Sequence, residues 1–532
     1  MMFELELADV IVIALYFGVV FYIAWWATKR EKSDSASSDY FLAGRNLGWF
    51  VIGASLFASN IGSEHLIGLA GSGFSEGVPV AQYEIFAGLM LLMLGWVFVP
   101  FYLRSKVATM PEFLEQRYDS KSRMYLSIVS VIAYVLTKIS VTIYAGGVVF
   151  EAIGMNFWLG AILLVIATGV YTVFGGLKAV VYTDMIQMFV LLGGSLTVTY
   201  FGLKMVGGWG EVIDTTPSEF FSLWRSHEDT NYPWTGILFG APILGVWYWC
   251  TDQFIVQRVL SAKNLDNARK GTIFAGYLKM LPLFLFVLPG IIAFTLSQKG
   301  LVQIDSPDQT LPAMVKAVLP VGLRGLVVAG LFAALMSSLS SVFNSCSTLI
   351  TLDLYKKFKP QSTENHLVIV GQIATVILVV FGLLWIPFMK YFSDQLFLYL
   401  QSVQAYISPP IAAVFLLGIF FKRLNGTGAF AALITGLVLG MTRFGAELMK
   451  DKLSGFMLTM AEINFLHFAI ILFAICTLVL IVVSLATARP DPEKLKDITY
   501  APEQSTGITS KSTFWLSIML GVIILILWFY LS

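Results

Sequence analysis

The chain has 532 residues, of which 57% are hydrophobic and 13% charged, with a formal net charge of +1. Soluble domains carry about 25% charged residues, so a soluble enzyme is excluded, no basic tract points to nucleic acid, and a polytopic membrane protein is expected. The three cysteines, Cys250, Cys346 and Cys476, lie in or beside apolar runs without paired spacing and read as core residues rather than a disulfide framework.

Apolar segments long enough to cross a bilayer, which takes roughly 20 residues, recur along the whole chain. They lie near 8–28, 47–72, 83–103, 124–153, 157–175, 180–205, 235–254, 271–296, 325–351, 367–388, 396–420, 427–448, 465–487 and 514–531, about 14 in all. The first has acids before it and Lys29-Arg30 after it, the opposite of a cleaved signal peptide, so it reads as a retained span. Alternate connections hold most of the basic residues, among them Lys29, Arg104, Lys106, Arg258, Lys263, Lys356, Lys422 and Arg489. Cytoplasmic loops are the positive ones, so that side faces inward and an even number of spans puts both termini outside. The opposite loops, 206–234 and 297–324, are longer and more acidic. No soluble domain and no phosphate-binding loop stands out, which argues against a primary pump.

The second span is the most informative. Within it Ala58-Ser59-Asn60-Ile61-Gly62-Ser63-Glu64-His65 puts amides, hydroxyls and ionisable groups where lipid-facing residues belong. Such groups survive at mid-membrane only against protein, a cavity or an ion, and Gly62 weakens the helix further. A broken helix lining a site near the membrane centre is expected. The seventh span is interrupted in the same way at Tyr248-Trp249-Cys250-Thr251-Asp252-Gln253. Each interruption heads a group of five spans, and five is odd, so the second group runs through the membrane in the opposite sense. Broken helices at matching places in inverted halves point to a secondary transporter's binding site.

Other polar residues inside spans are Glu84, Asp184, Lys279, Ser337-Ser338-Leu339-Ser340-Ser341 and Gln401. Each has a plainer reading: an interfacial acid for Glu84, a snorkelling lysine for Lys279, helix packing for the serines, an aromatic belt for Tyr248 and Trp249. Asp184 could pair with a loop lysine such as Lys178. Taken together they form a chemical set. Asn, His, Glu, Lys and Gln match a ring of hydroxyls; Tyr and Trp offer flat faces to its apolar side. Serine hydroxyls, carbonyls and one Asp are hard ligands for a small cation. The four histidines, His65, His227, His366 and His467, are too dispersed for a metal site.

The motifs Tyr171 to Ala179, Tyr182-Thr183-Asp184, Trp247 to Gln253 with Gln257-Arg258, Gly276 to Lys279, Leu335 to Ser338 running on to Phe343-Asn344-Ser345, and Phe420 to Asn425 resemble the solute:sodium symporter family. Within it the chain most resembles the sodium/glucose (galactose) cotransporters. The resemblance implies an all-α membrane protein with a five-plus-five inverted-repeat (LeuT-type) core. Residues 1–46 would form an extra span and inner loop, 47–205 the first repeat, 206–234 an outer loop, 235–425 the second repeat and 426–532 three added spans. It also implies a sugar site of Asn60, His65, Glu84, Tyr248, Trp249, Lys279 and Gln401. Leu69, Tyr83 and Phe397 match the outer gate and Tyr248 the inner one. A main sodium site would use Ala58, Ile61, Ala334, Ser337 and Ser338; a second would use Ser59, Asp184, Ser338 and Ser341. Gly245 departs from the pattern, because family members often carry Asn or Thr there. The implied function is sodium-driven symport of a neutral sugar across the plasma or bacterial inner membrane, by alternating access, with two sodium ions per sugar. Sodium/myo-inositol and sodium/sialic acid symport are rival substrates. A channel or substrate sensor on the same scaffold is the rival from another class.

Overall fold

A computed structural model describes residues 5–29, 35–62, 64–389, 396–496, 498–499 and 510–532. The described residues are mostly helical, and among them eleven helices are long and apolar enough to cross a membrane. In chain order the main helices are α1 (Leu7–Lys29), α2 (Trp49–Asn60), α3 (Leu69–Ser75), α4 (Val78–Arg104), α5 (Ser120–Glu151), α6 (Phe157–Val206), α7 (Ala241–Gly245), α8 (Gln253–Leu260) and α9 (Leu265–Gln298). They continue as α10 (Leu323–Phe358), α11 (Glu364–Met389), α12 (Leu396–Phe420), α13 (Gly426–Leu448), α14 (Phe465–Ala486) and α15 (Lys511–Tyr530).

Three departures from straight helix reconcile this list with the spans expected from the sequence. The 50-residue α6 holds two spans, and the chain turns at Gly176, whose φ is 54°. That conformation suits glycine, and a Cβ there would lie 2.4 Å from the Tyr40 carbonyl oxygen. The second span is broken where expected. α2 stops at Asn60, Ile61 leaves the helical region at ψ 88°, and the Gly62 N–H turns back to the Asn60 carbonyl at 2.9 Å. The chain resumes through a wide turn, Glu64–Gly68, into α3. Ser63 and the Glu64 side chain lie outside the described residues. The seventh span widens over Val246–Thr251 and breaks at Asp252, which is extended (ψ 128°) and caps α8 by accepting from the Phe254 N–H at 3.1 Å.

Two interrupted spans therefore each lead a run of five. α6 packs most extensively against α10, and α9 packs along α2, α3 and α4. α1 lies against both α6 and α10. The fully buried Asp9 fixes it there, its Oδ1 accepting from the N–H groups of Gly322 and Gly325 at 2.7 and 2.8 Å at the start of α10. The Leu223 N–H donates to the Leu531 carbonyl at 2.7 Å, so the end of α15 sits against the 206–234 loop. In that loop Glu211 accepts a hydrogen bond from Lys299, just past α9, which holds its carboxyl below the usual carboxylate range.

Several arginines that read as loop cations are structural. Arg117 is buried and donates to the carbonyls of Gly418, Phe421 and Leu424 at 2.7, 2.9 and 3.1 Å. Arg258 and Arg269 are also buried, at 0% and 1% exposure. The three cysteines are free and buried.

Candidate functional site

The two breaks meet in the middle of the bundle. Asn60 ends α2, Glu84 lies near the start of α4, Lys279 is in α9, and Tyr248 and Trp249 lie in the second break. The side chains of His65, Glu84, Lys279, Asn60 and Tyr248 form one hydrogen-bonded chain. The His65 Nε2 lies 3.3 Å from Glu84 Oε1. Lys279 pairs with the other Glu84 oxygen and also donates to the Asn60 amide oxygen. Asn60 Nδ2 donates to the Tyr248 hydroxyl at 2.8 Å. Glu84 and Lys279 are 3% and 1% exposed, so they are neither an interfacial acid nor a snorkelling lysine. A buried ion pair is stable only when its remaining hydrogen-bonding capacity is met, and His65 and Asn60 meet part of it here.

A cavity opens beside this chain. Asn60, His65, Glu84, Tyr248, Trp249 and Gln401 line it. Lys279 stands behind Glu84 and Asn60, with its ammonium 5.5 Å from the centre of the Trp249 ring. The lining combines amides, a carboxylate, an imidazole and two aromatic faces, so it can exchange hydrogen bonds with a ring of hydroxyls. It contains no Lys or Arg among the described residues. Of the gate residues, Tyr83 borders the cavity and meets the Tyr232 ring edge-on at 6.3 Å. Leu69 is buried, and the Phe397 side chain lies outside the described residues.

Gly245 has a neighbour that explains its lack of a side chain. A Cβ at this position would come within 2.7 Å of Met90 Cγ. Both residues line the cavity, so the Met90 side chain fills the space that a side chain at position 245 would enter.

The cation ligands expected from the sequence gather at the first break and α10. Ala58, Ile61, Ala334, Ser337 and Ser338 are all buried. The last carbonyls of a helix have no partner within it; one of them, that of Ser59, accepts from the Ser338 hydroxyl at 3.0 Å. Close by, the fully buried Asp184 accepts from Ser337 at 2.5 Å on Oδ1, and from Ser55 and Ser59 at 2.6 and 3.3 Å on Oδ2. Ser337 thus belongs to both clusters. The cation beside Asp184 is Arg258, at 3.4 Å, and not a loop lysine. Ser341 is linked to Asp184 through that guanidinium.

Four contributors escaped the sequence reading. Ser55 lies one turn before Ser59 on the same face of α2, so helical spacing could have found it. Arg258 looked like a loop charge. Met90 is an ordinary apolar residue by type. Lys138, in the wide turn Val135–Ile139 of α5, donates to the Tyr248 hydroxyl at 3.1 Å and lies 3.9 Å from the Phe254 ring centre.

Two interrupted spans at the head of five-span runs, with a buried polar cavity and a hydroxyl–carbonyl cluster at the break, define a secondary transporter of the five-plus-five class. The family model described as "Sodium:solute symporter family" matches residues 40–436. The chain belongs to that family and is a sodium-coupled symporter, not an enzyme. The Sus scrofa sodium/myo-inositol cotransporter 2 is 39% identical, over 93% of this chain and 79% of its own length. The Mus musculus sodium/glucose cotransporter 4 is 39% identical over 92% and 77%. The Oryctolagus cuniculus sodium/glucose cotransporter 1 is 40% identical over 91% and 80%. Among solved structures, the substrate-bound outward-open state of a Na+-coupled sialic acid symporter shares the fold. Its TM-score is 0.79 at 21% identity, over 91% of this chain and 99% of its own. A nucleobase-cation-symport-1 family transporter in a closed conformation gives 0.51 at 15% identity, over 88% and 99%.

Proposed function

We propose that the protein carries a neutral sugar of the glucose/galactose type together with sodium, by alternating access across the plasma or bacterial inner membrane, with both termini outside. The observation that carries this reading is the buried chain His65–Glu84–Lys279–Asn60–Tyr248, which presents both donors and acceptors to one cavity. Asn60, Glu84 and Gln401 hold hydroxyls, Lys279 holds Glu84 and Asn60 in place from behind, His65 orients Glu84, and Tyr248 and Trp249 cover the ring. Lys279 is already matched by Glu84, and a carboxylate faces the cavity, which disfavours an acidic sugar such as sialic acid. Myo-inositol is the second reading, supported by the myo-inositol cotransporters among the relatives; it too is a neutral ring of hydroxyls.

Sodium at Ala58, Ile61, Ala334, Ser337 and Ser338 would hold the broken end of α2 against α10 and order Asn60. A second sodium would sit between Ser59, Asp184, Ser338 and Ser341, where Asp184 supplies the negative charge. One charge crossing 100 mV contributes about 2.3 kcal/mol, and a tenfold sodium gradient about 1.4 kcal/mol. One ion thus supports roughly 500-fold accumulation and two ions more than about 10⁵-fold. The test is uptake into proteoliposomes under an imposed sodium gradient, with labelled glucose, galactose, myo-inositol and sialic acid. Concentrative, sodium-dependent uptake of a hexose is expected. Preference for myo-inositol would select the second reading; equilibration without accumulation would mark a channel.

A further inference from the structure

Arg258 is a fully buried guanidinium inside an ion-coupled transporter, an unusual placement for a permanent cation. Its Nε donates to the Ser55 hydroxyl at 2.8 Å, and its Nη1 to the Phe254 carbonyl. Its Nη2 reaches both Asp184 Oδ2, at 3.4 Å, and the Ser341 hydroxyl. Nη2 therefore occupies the space between Asp184 and Ser341, two of the four groups assigned above to the second sodium. Guanidinium offers only donors and stays charged. A sodium ion between the same two groups would face a like charge. The contact with Asp184 is also long and uses one carboxylate oxygen, while Oδ1 goes to Ser337. This is a looser arrangement than the bidentate pair that Arg and a carboxylate form when nothing else competes.

We propose that Arg258 is the resident cation of the Asp184 pocket and exchanges with the second sodium ion, so that ion entry frees the helix that carries Arg258. That helix is α8, which starts at the second break, five residues after the inner-gate Tyr248. The link to the gate is physical. Phe254 is flanked by Arg258, 5.4 Å from its ring centre, and by Lys138, 3.9 Å from it. Lys138 in turn holds the Tyr248 hydroxyl. A ligand shifts a conformational equilibrium only by its differential affinity for the two states. Here the difference is built in, because Asp184 binds either α8, through Arg258, or sodium.

The proposal rests on the second-ion reading, and equilibrium binding of labelled sodium to the purified full-length transporter separates the two. Wild type is expected to bind two ions. Arg258→Gln removes the competing charge, so its weaker sodium should bind about tenfold more tightly, while Arg258→Lys should stay near wild type. If Arg258→Gln leaves both affinities unchanged, or loses the second ion as Asp184→Asn does, the competition is overturned. One ion in wild type and two in Arg258→Gln would end the two-ion reading and uphold the competition. One ion in both would overturn it. Should Arg258→Gln fail to fold, hydrogen exchange of the wild-type chain decides. Amides of 253–260 should exchange faster in sodium than in choline, and this difference should vanish in Asp184→Asn. Equal protection of wild type in the two salts overturns the proposal.

Discussion

Glu84 and Asp184 are both buried carboxylates with a cationic partner, yet their surroundings differ in the way that decides what each can bind. Glu84 borders a cavity and belongs to a chain of amide, imidazole, ammonium and phenol groups. Those groups can turn toward a ligand or toward each other, as exchange with a polyol requires. Asp184 is enclosed by three serine hydroxyls and Arg258, a small, hard set of groups that suits a point charge and not a ring. The contrast teaches that the carboxylate alone does not specify the ligand. The neighbours do: planar and mixed around Glu84, small and oxygen-rich around Asp184.

The sharpest way to break the contrast is Asp184→Asn. It should reduce the sodium-to-sugar ratio from two toward one and lower the limiting accumulation by roughly 500-fold at 100 mV and a tenfold gradient. Pairing it with Arg258→Gln avoids a buried, unmatched guanidinium. Flux ratios measure the outcome, and a wild-type ratio of one would return Asp184 to a structural role.

Next in size is Lys279→Ala, which removes a charge-assisted hydrogen bond to Asn60 and the partner of Glu84. Apparent sugar affinity should fall by about 10- to 150-fold, and the substrate-free protein should lose about 3–5 kcal/mol of stability. Combining Glu84→Gln with Lys279→Met should recover most of the stability without recovering sugar binding. Thermal melts alongside uptake separate the two effects, and unchanged affinity in Lys279→Ala would remove that residue from the site.

A smaller effect is expected from Gly245→Asn, whose Cβ would meet Met90. Overpacking should cost about 1–3 kcal/mol. Adding Met90→Ala should relieve it and change the ranking of competing sugars by about tenfold in uptake assays. The smallest is Tyr248→Phe, which keeps the ring and removes the hydroxyl held by Asn60 and Lys138. A loss of about 1 kcal/mol, or roughly fivefold in affinity, is expected. Loss of all transport instead would mean that the hydroxyl acts in the chemistry of gating rather than in binding.

The parts of the site legible in the sequence are those where residue type conflicts with lipid. Asn60, Glu84, Lys279 and the α10 serines stand out because apolar spans leave such groups no water. Both helix breaks follow from the same conflict, and both lie where the polar stretches are. Arg258 was illegible because it lies at the inner end of its span, where a basic residue reads as a loop charge under the positive-inside rule. Only the third dimension shows that α8 turns it back toward Asp184. Met90 was illegible for the opposite reason. An apolar residue in an apolar span carries no signal, and its role depends on the absence of a side chain at Gly245, on another helix.

α1 stands outside the two five-span runs, yet it is not a passive addition. Asp9 closes the N-terminal end of α10, and α1 lies along both α6 and α10. α10 carries Ser337, Ser338 and Ser341, and α6 carries Asp184. One face of α1 is thus fastened to the two helices that carry the proposed ion ligands, while Leu15, Tyr22 and Trp25 remain exposed. This makes α1 an external handle on the ion-binding half of the protein. A spectroscopic label on its exposed face would travel with α6 and α10 and report their tilt during transport without touching either binding pocket.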